Sequence, residues 1–389
     1  MELRVLRSGV ATGLVLAVGG LGCSSPASPA LATTCGDGSI VVAASDYQSS
    51  AVGSFTLGGV GTISPPAVDL GKDPSLSATG GAMFFVARDF ETVFELDACG
   101  KPFRKFAVGD PAGTGLVTNP HDLALAKDQR LFVTRFDVPS LLVLDASRLP
   151  AQTIDLSSFD ADGNPNADAI RIATVGGSEK AFVTLERLDD TDPLLRSKQP
   201  SWMLRIDVAT STVEAHVELA GRNPFSTFEQ GATLYLAEPG NFDLLDEPLA
   251  GIEAFDYATS TSHLLVHEQD LGGSVAEVAI SPEAADGALC GVAIVADATP
   301  GVNRTSLVTF DARSGTVLTD AAHAVLGTDG FDLEGLTWRG QTLLVGDRRA
   351  APGGFPVHAF DRADGCAVVE RKEPVVYLPQ KPVAFRVSR

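Results

Sequence analysis

Tryptophan and tyrosine are scarce in this chain, with 2 and 4 copies against 20 phenylalanines. The flat amphipathic platforms that stack on sugar rings are therefore few, and glycan recognition is disfavoured. Basic residues are outnumbered, 29 Lys and Arg against 49 Asp and Glu, for a formal net charge of −20. A field of that sign repels phosphate backbones and excludes nucleic acid as a partner. No G-x-S-x-G elbow, P-loop or H-E-x-x-H pair occurs, so the local signatures of serine hydrolases, phosphate-cradling loops and zinc proteases are absent. No C-x-x-C pair occurs among the 5 cysteines, which argues against a zinc cluster or a thioredoxin-type redox site. The histidines His121, His216, His263, His267, His323 and His358 are dispersed. Even His263 and His267, four apart on a strand, would sit about 13 Å from each other, too far for one metal. Past residue 35 no stretch of helical period stands out.

What is present begins at the amino terminus. Arg4 and Arg7 precede an apolar stretch over residues 10–21, too short to span a bilayer, which is the layout of a signal peptide over residues 1–22. Gly20-Leu21-Gly22-Cys23-Ser24-Ser25 resembles a bacterial lipobox, so Cys23 is expected to be lipidated and to become the first mature residue. Ala30-Leu31-Ala32 offers an alternative cleavage site after Ala32. Residues 23–35, rich in Ser, Pro and Ala, read as a flexible tether. The expected location is the bacterial outer membrane, cell surface or periplasm, with membrane contact through a lipid anchor only. In that oxidising setting Cys35, Cys99, Cys290 and Cys366 are expected to form two disulfides. Three connectivities are possible, and neighbouring positions in the repeat described next favour Cys35 with Cys99 and Cys290 with Cys366.

One short pattern recurs: an alternating apolar run closing on Asp, then a turn. It appears as Phe94-Glu95-Leu96-Asp97, Leu142-Val143-Leu144-Asp145, Leu204-Arg205-Ile206-Asp207, Glu253-Ala254-Phe255-Asp256, Val308-Thr309-Phe310-Asp311 and His358-Ala359-Phe360-Asp361. A degenerate seventh copy is Gly53-Ser54-Phe55-Thr56. Before each copy lies a second strand-like run, over residues 40–44, 83–87, 131–134, 181–185, 233–237, 292–296 and 342–346. With an opening strand and one after the turn, each period of about 50 residues supplies four antiparallel strands, the size of a propeller blade. The expectation is an all-β chain: a seven-bladed β-propeller over residues 36–389, its first blade completed by the C-terminal strand 383–387, which removes the open edge. A monomer is expected.

The segments Asn119-Pro120-His121-Asp122-Leu123-Ala124, Leu131-Phe132-Val133-Thr134 and Leu141-Leu142-Val143-Leu144-Asp145 resemble the bacterial secreted propellers that include YVTN-repeat surface proteins and YncE-like periplasmic proteins. The resemblance spans residues 36–389 and is one of repeat type. The literal Tyr-Val-Thr-Asn is replaced by Phe132-Val133-Thr134-Arg135 and Phe182-Val183-Thr184-Leu185.

The long irregular segments, residues 186–202, 238–251, 297–305, 348–355 and the inter-blade link 158–168, all fall on one face of such a ring. Long loops on a rigid scaffold are where binding is usually carried, so a protein or small ligand is expected there. In the last of these, Asp160, Asp162, Asn164, Asn166 and Asp168 alternate around Gly163, an arrangement of oxygen ligands that suits Ca²⁺; an Asx turn is the simpler reading. His121, Asp122, Asp168, Glu277, Asp332 and Glu334 fall near the openings of inner strands, where carboxylates converging on one axis would repel unless protonated or bridged by a cation. Phe331-Asp332-Leu333-Glu334-Gly335-Leu336-Thr337-Trp338 resembles the Glu-Gly segment of phytase-like and gluconolactonase-like propellers, whose Glu helps hold a channel metal. Two functions follow: an envelope-surface binding propeller without catalytic activity, and a metal-dependent, lactonase-like hydrolase using an acidic channel.

Overall fold

The apolar runs become the second strands of successive sheets because they are buried on both sides. In Ala82–Ala87, Phe84 and Val86 pack into one core while Met83, Phe85 and Ala87 pack into another. In Ile40–Ser45, Ile40, Val42 and Ala44 face one neighbour and Val41 and Ala43 the other. Side chains alternate across a strand, so a strand sandwiched between two sheets reads as a continuous apolar run rather than an alternating one.

A computed structural model describes residues 35, 38–113, 115–242, 247–285, 287–297 and 302–388. The expected signal peptide, Cys23, the site at Ala32 and most of the 23–35 tether lie outside them. The described residues form seven antiparallel sheets that succeed one another along the chain, the blades of a β-propeller. The inner strands are Pro382–Val387 in blade 1, Pro74–Thr79 in blade 2, Pro120–Leu125 in blade 3 and Ala167–Val175 in blade 4. Ser226–Gln230, Ser274–Ile280 and Leu333–Arg339 serve blades 5, 6 and 7. In blades 6 and 7 the outer strand is broken in two, so that Val317–Thr319 and Leu326–Thr328, or Val368–Glu370 and Val376–Leu378, pair with the same third strand. Glu268–Leu271 is the one α-helical turn among the described residues.

The hydrophobic interior is divided into seven clusters, each shared by two adjacent blades. Closure occurs in blade 1, where Ile40–Ser45 pairs antiparallel with Pro382–Val387, Val42 opposite Phe385. The edges of the ring are thus joined. Both disulfides link neighbouring blades, Cys35 to Cys99 and Cys290 to Cys366, as the repeat positions favoured.

The strand-ending aspartates are turn residues in five blades. Asp97 accepts from the backbone N–H groups of Cys99 and Lys101, Asp145 from those of Ser147 and Leu149, and Asp311 from those of Arg313 and Ser314. Asp207 and Asp256 accept from Thr210 and Thr259. Asp361 departs from the scheme and is held instead by Arg371 and Thr342.

Candidate functional site

The seven inner strands enclose a central cavity of about 220 Å³. On the long-loop face it opens into a pocket of about 410 Å³, and Arg88, His121, Asp168 and Phe225 line both. Most of the pocket's remaining wall comes from the loops at 186–202 and 238–251, through Glu186, Leu194, Leu195, Asn241 and Phe242 among others, and Phe136 and Asn223 complete it. Two of the long segments picked out in the sequence therefore build this pocket.

The four carboxylates that line the channel are interleaved with three arginines, Arg88, Arg171 and Arg386. Asp122 is paired with Arg171, accepts from Ser77 Oγ, and also accepts from the backbone N–H of Ile170 at 3.1 Å. Arg171 then reaches Thr227 of blade 5 at 2.8 Å. Glu334 is paired with Arg348, which also bonds Tyr47 OH at 3.3 Å. His121 Nδ1 lies 2.7 Å from Asp168 Oδ1, and its Nε2 lies 3.3 Å from Arg88 Nη1. A guanidinium only donates, so Nε2 is the acceptor and Nδ1–H donates to Asp168. The ring is stacked on Phe136, centroids 4.3 Å apart, and Arg88 is anchored in turn by Asp73. Among the expected channel residues, His121, Asp122, Asp168, Glu277 and Glu334 line the central cavity, whereas Asp332 does not. Asp332 sits outside it, its backbone N–H donating to Thr305 Oγ1.

Two channel acids are shifted upward. Burial pushes Glu277 up to about 8, helped by the nearby Glu334 and opposed by the Gly335 N–H that it accepts at 2.7 Å and by Arg386. Burial also pushes Glu334 up to about 7, outweighing the guanidinium groups of Arg348 and Arg88. At the mouth, Glu186 is raised well above the usual carboxylate range by burial and then by Asp168, against the pull of Arg88.

The five oxygen-bearing residues of the 160–168 segment do not converge on a point. Asp160 Oδ2 accepts from Arg187 Nε at 3.1 Å and its carboxylate also meets Gln199. Asp162 accepts from the N–H groups of Asn164 and Asp190. Asn164 and Asn166 donate to the Asp190 carboxylate, and Asn166 accepts from Leu188 N–H. Asp168 faces the channel. Four of the five thus tie this link to the 186–202 loop. Among the described residues, no three of His, Cys, Asp or Glu are grouped so as to hold a metal ion.

Arg88, Phe136, Glu186 and Arg348 were missed in the sequence. They share a signal: each is the first residue past a second strand, after Ala82–Ala87, Leu131–Arg135, Ser178–Leu185 and Thr342–Asp347. That position crowns the long-loop face beside the channel.

Neither a protein-family model nor a curated protein sequence matches the chain. Solved structures do. A protein of unknown function from Desulfotomaculum acetoxidans superposes with a TM-score of 0.53 at 12% identity, covering 90% of this chain and 99% of that one. A candidate 6-phosphogluconolactonase from Bacteroides fragilis gives 0.52 at 14%, over 91% and 99%. The Dos1 propeller gives 0.52 at 14%, over 87% and 85%. The likeness is one of fold.

Proposed function

We propose that this chain is an exported ligand-binding propeller that takes a small molecule at the mouth of its channel, without catalytic activity. The observation that carries the reading is the pocket of about 410 Å³, within the usual size range of small-molecule sites, with apolar walls and a few polar groups at its base. Burial of Phe136, Phe225, Phe242 and the leucines by a ligand would supply affinity, and the Arg88–His121–Asp168 chain would fix orientation. The two disulfides support an oxidising, extracytoplasmic setting. Binding is favoured over metal-dependent hydrolysis because Asp122 and Glu334 face arginines rather than one another.

The test is a ligand-observed NMR screen of small fragments against the wild type and a Leu195→Trp variant. Leu195 is half exposed on the pocket wall, so an indole there fills the pocket with little effect on folding. Fragment binding that weakens at least tenfold in the variant, with an unchanged melting temperature, supports the reading. Equal binding to both proteins, or no binding to the wild type, would overturn it.

A further inference from the structure

Glu186 stands out among the groups that line the mouth pocket. Its backbone is fixed on both sides, the N–H donating to Asn166 O at 3.1 Å and the carbonyl accepting from Ser201 Oγ at 2.9 Å. The residue is only 4% exposed and lines the pocket, yet its carboxylate has no hydrogen bond or ion pair among the described residues. A buried acid in that condition is disfavoured as an anion and is stabilised by taking up either a proton or a cation. Asn223, which lines the same pocket, repeats the pattern. Its Nδ2 donates to Gly240 O at 2.9 Å, while its buried Oδ1 accepts from no donor.

The donors near these acceptors are already engaged. Arg88 is held by Asp73 and His121. Arg187, the next residue, bonds Asp160 and Pro200 O and lies over Trp202 at 3.7 Å. Arg196, the other guanidinium on the pocket wall, faces Asp192 at 3.7 Å, so what these two acceptors lack is a donor. Its walls carry Phe225 and Phe242 edge to face at 5.1 Å, surfaces that attract cations and cover apolar groups. The net charge of −20 concentrates cations around the molecule.

We propose that the mouth pocket takes a small organic cation, an ammonium group on an apolar body, with the nitrogen received by Glu186 and the body lying against Phe225, Phe242 and Leu195. This rests on the pocket being a ligand site. An ammonium offers three N–H donors and no acceptor, the complement of a carboxylate left without a donor. Burial, and then Asp168, raise Glu186 well above the usual carboxylate range, so before binding it holds its proton to a higher pH. The cation replaces that proton: the O–H bond of the acid breaks, the proton passes to solvent, and the carboxylate accepts from the ammonium. Binding therefore releases up to one proton and tightens as pH rises toward the amine's own ionisation.

The experiment uses three probes of one shape, 2-phenylethylamine, 2-phenylethanol and phenylacetate, titrated calorimetrically into the full mature chain and its Glu186→Gln variant. Each titration is run in two buffers of different ionisation enthalpy. Expected are amine binding at least tenfold tighter than alcohol binding in the wild type, proton release with the amine only, and loss of both in E186Q. The proton count in the wild type stands even if the variant fails to fold. Alcohol or phenylacetate binding as tightly as the amine would overturn the cation assignment while leaving the pocket reading intact. Binding of none of the three would also overturn the assignment, and the fragment screen with Leu195→Trp would then decide the pocket reading separately.

Discussion

A carboxyl group sunk among protein atoms loses its hydration, and unless an ion pair replaces that hydration the group keeps its proton to a higher pH. Glu186, Glu277 and Glu238 illustrate three degrees of this. Glu238 is fully buried, with both oxygens lacking a donor, and burial followed by the neighbouring Glu253 raises it well above its usual value. Glu277 retains one partner, the Gly335 N–H, and is still pushed up to about 8. The consequence for stability has a definite sign. The folded state binds the Glu277 proton more tightly than the unfolded state, whose value is 4.5. Its contribution is therefore complete below that pH and is lost as pH rises toward 8. Each bound proton corresponds to about 1.4 kcal/mol per pH unit across that window. Glu277→Gln keeps an acceptor for Gly335 N–H but cannot ionise. Urea unfolding at several pH values between 5 and 8 should show wild-type stability falling more steeply than that of the variant, by about 1.4 kcal/mol per unit. Parallel curves would mean that Glu277 is ionised throughout.

At the scale of an element, the 186–202 loop is held by a cation rather than holding one. Arg187 is buried and adopts a left-handed backbone, φ 57°, which a non-glycine residue sustains only when its surroundings fix it. Asp160, Pro200 and Trp202 supply that constraint, and Trp202 is itself stacked on His216 with centroids 4.2 Å apart. Asp160→Ala would leave a buried guanidinium without its counter-ion, a change that costs roughly 3–5 kcal/mol. Chemical denaturation should show that loss equally in chelator and in added Ca²⁺. If instead wild-type stability rises with Ca²⁺ and the variant's does not, the segment from Asp160 to Asp168 is a cation loop after all. The oxygen spacing was legible in the sequence, but its partners were not, because Arg187 and Asp190 arrive from a loop more than twenty residues further on. The blade pattern was legible for the opposite reason. A second strand buried on both faces, repeated seven times, and an Asp that closes its own turn, repeated five times, are local devices. The channel's arginines lay outside that pattern, since Arg171 and Arg348 acquire their role only when the ring brings Asp122 and Glu334 beside them.

For the whole molecule the decisive contact joins the two ends of the chain. Seven inter-blade cores give a ring with no privileged starting point, so stability depends on every interface being present. The interface between blades 7 and 1 is completed by Pro382–Val387, whose Phe385 packs edge to face with Phe55 at 6.3 Å and belongs to the core containing Ile40, Val42 and Leu344. Without that strand, Ile40–Ser45 becomes an edge with unpaired backbone groups and an uncovered apolar side. The Cys35–Cys99 bridge cannot substitute, because it ties blade 1 to blade 2 on the far side of the gap. Val41 stands opposite Arg386, and Arg386 lines the channel beside Glu277, so the strand that closes the ring also supplies one of the arginines interleaved with its carboxylates. A chain ending at Lys381 should lose cooperative thermal unfolding and self-associate in size-exclusion chromatography. A synthetic peptide covering residues 381–389, added in excess, should restore both the sharp transition and the monomer peak. A peptide with Phe385→Ala should do so at least tenfold less effectively, since it keeps the strand pairing but removes the ring that fills the core. Unchanged folding of the truncated chain would show that six complete blades and an open seventh are already stable, and that the terminal strand serves the channel rather than the fold.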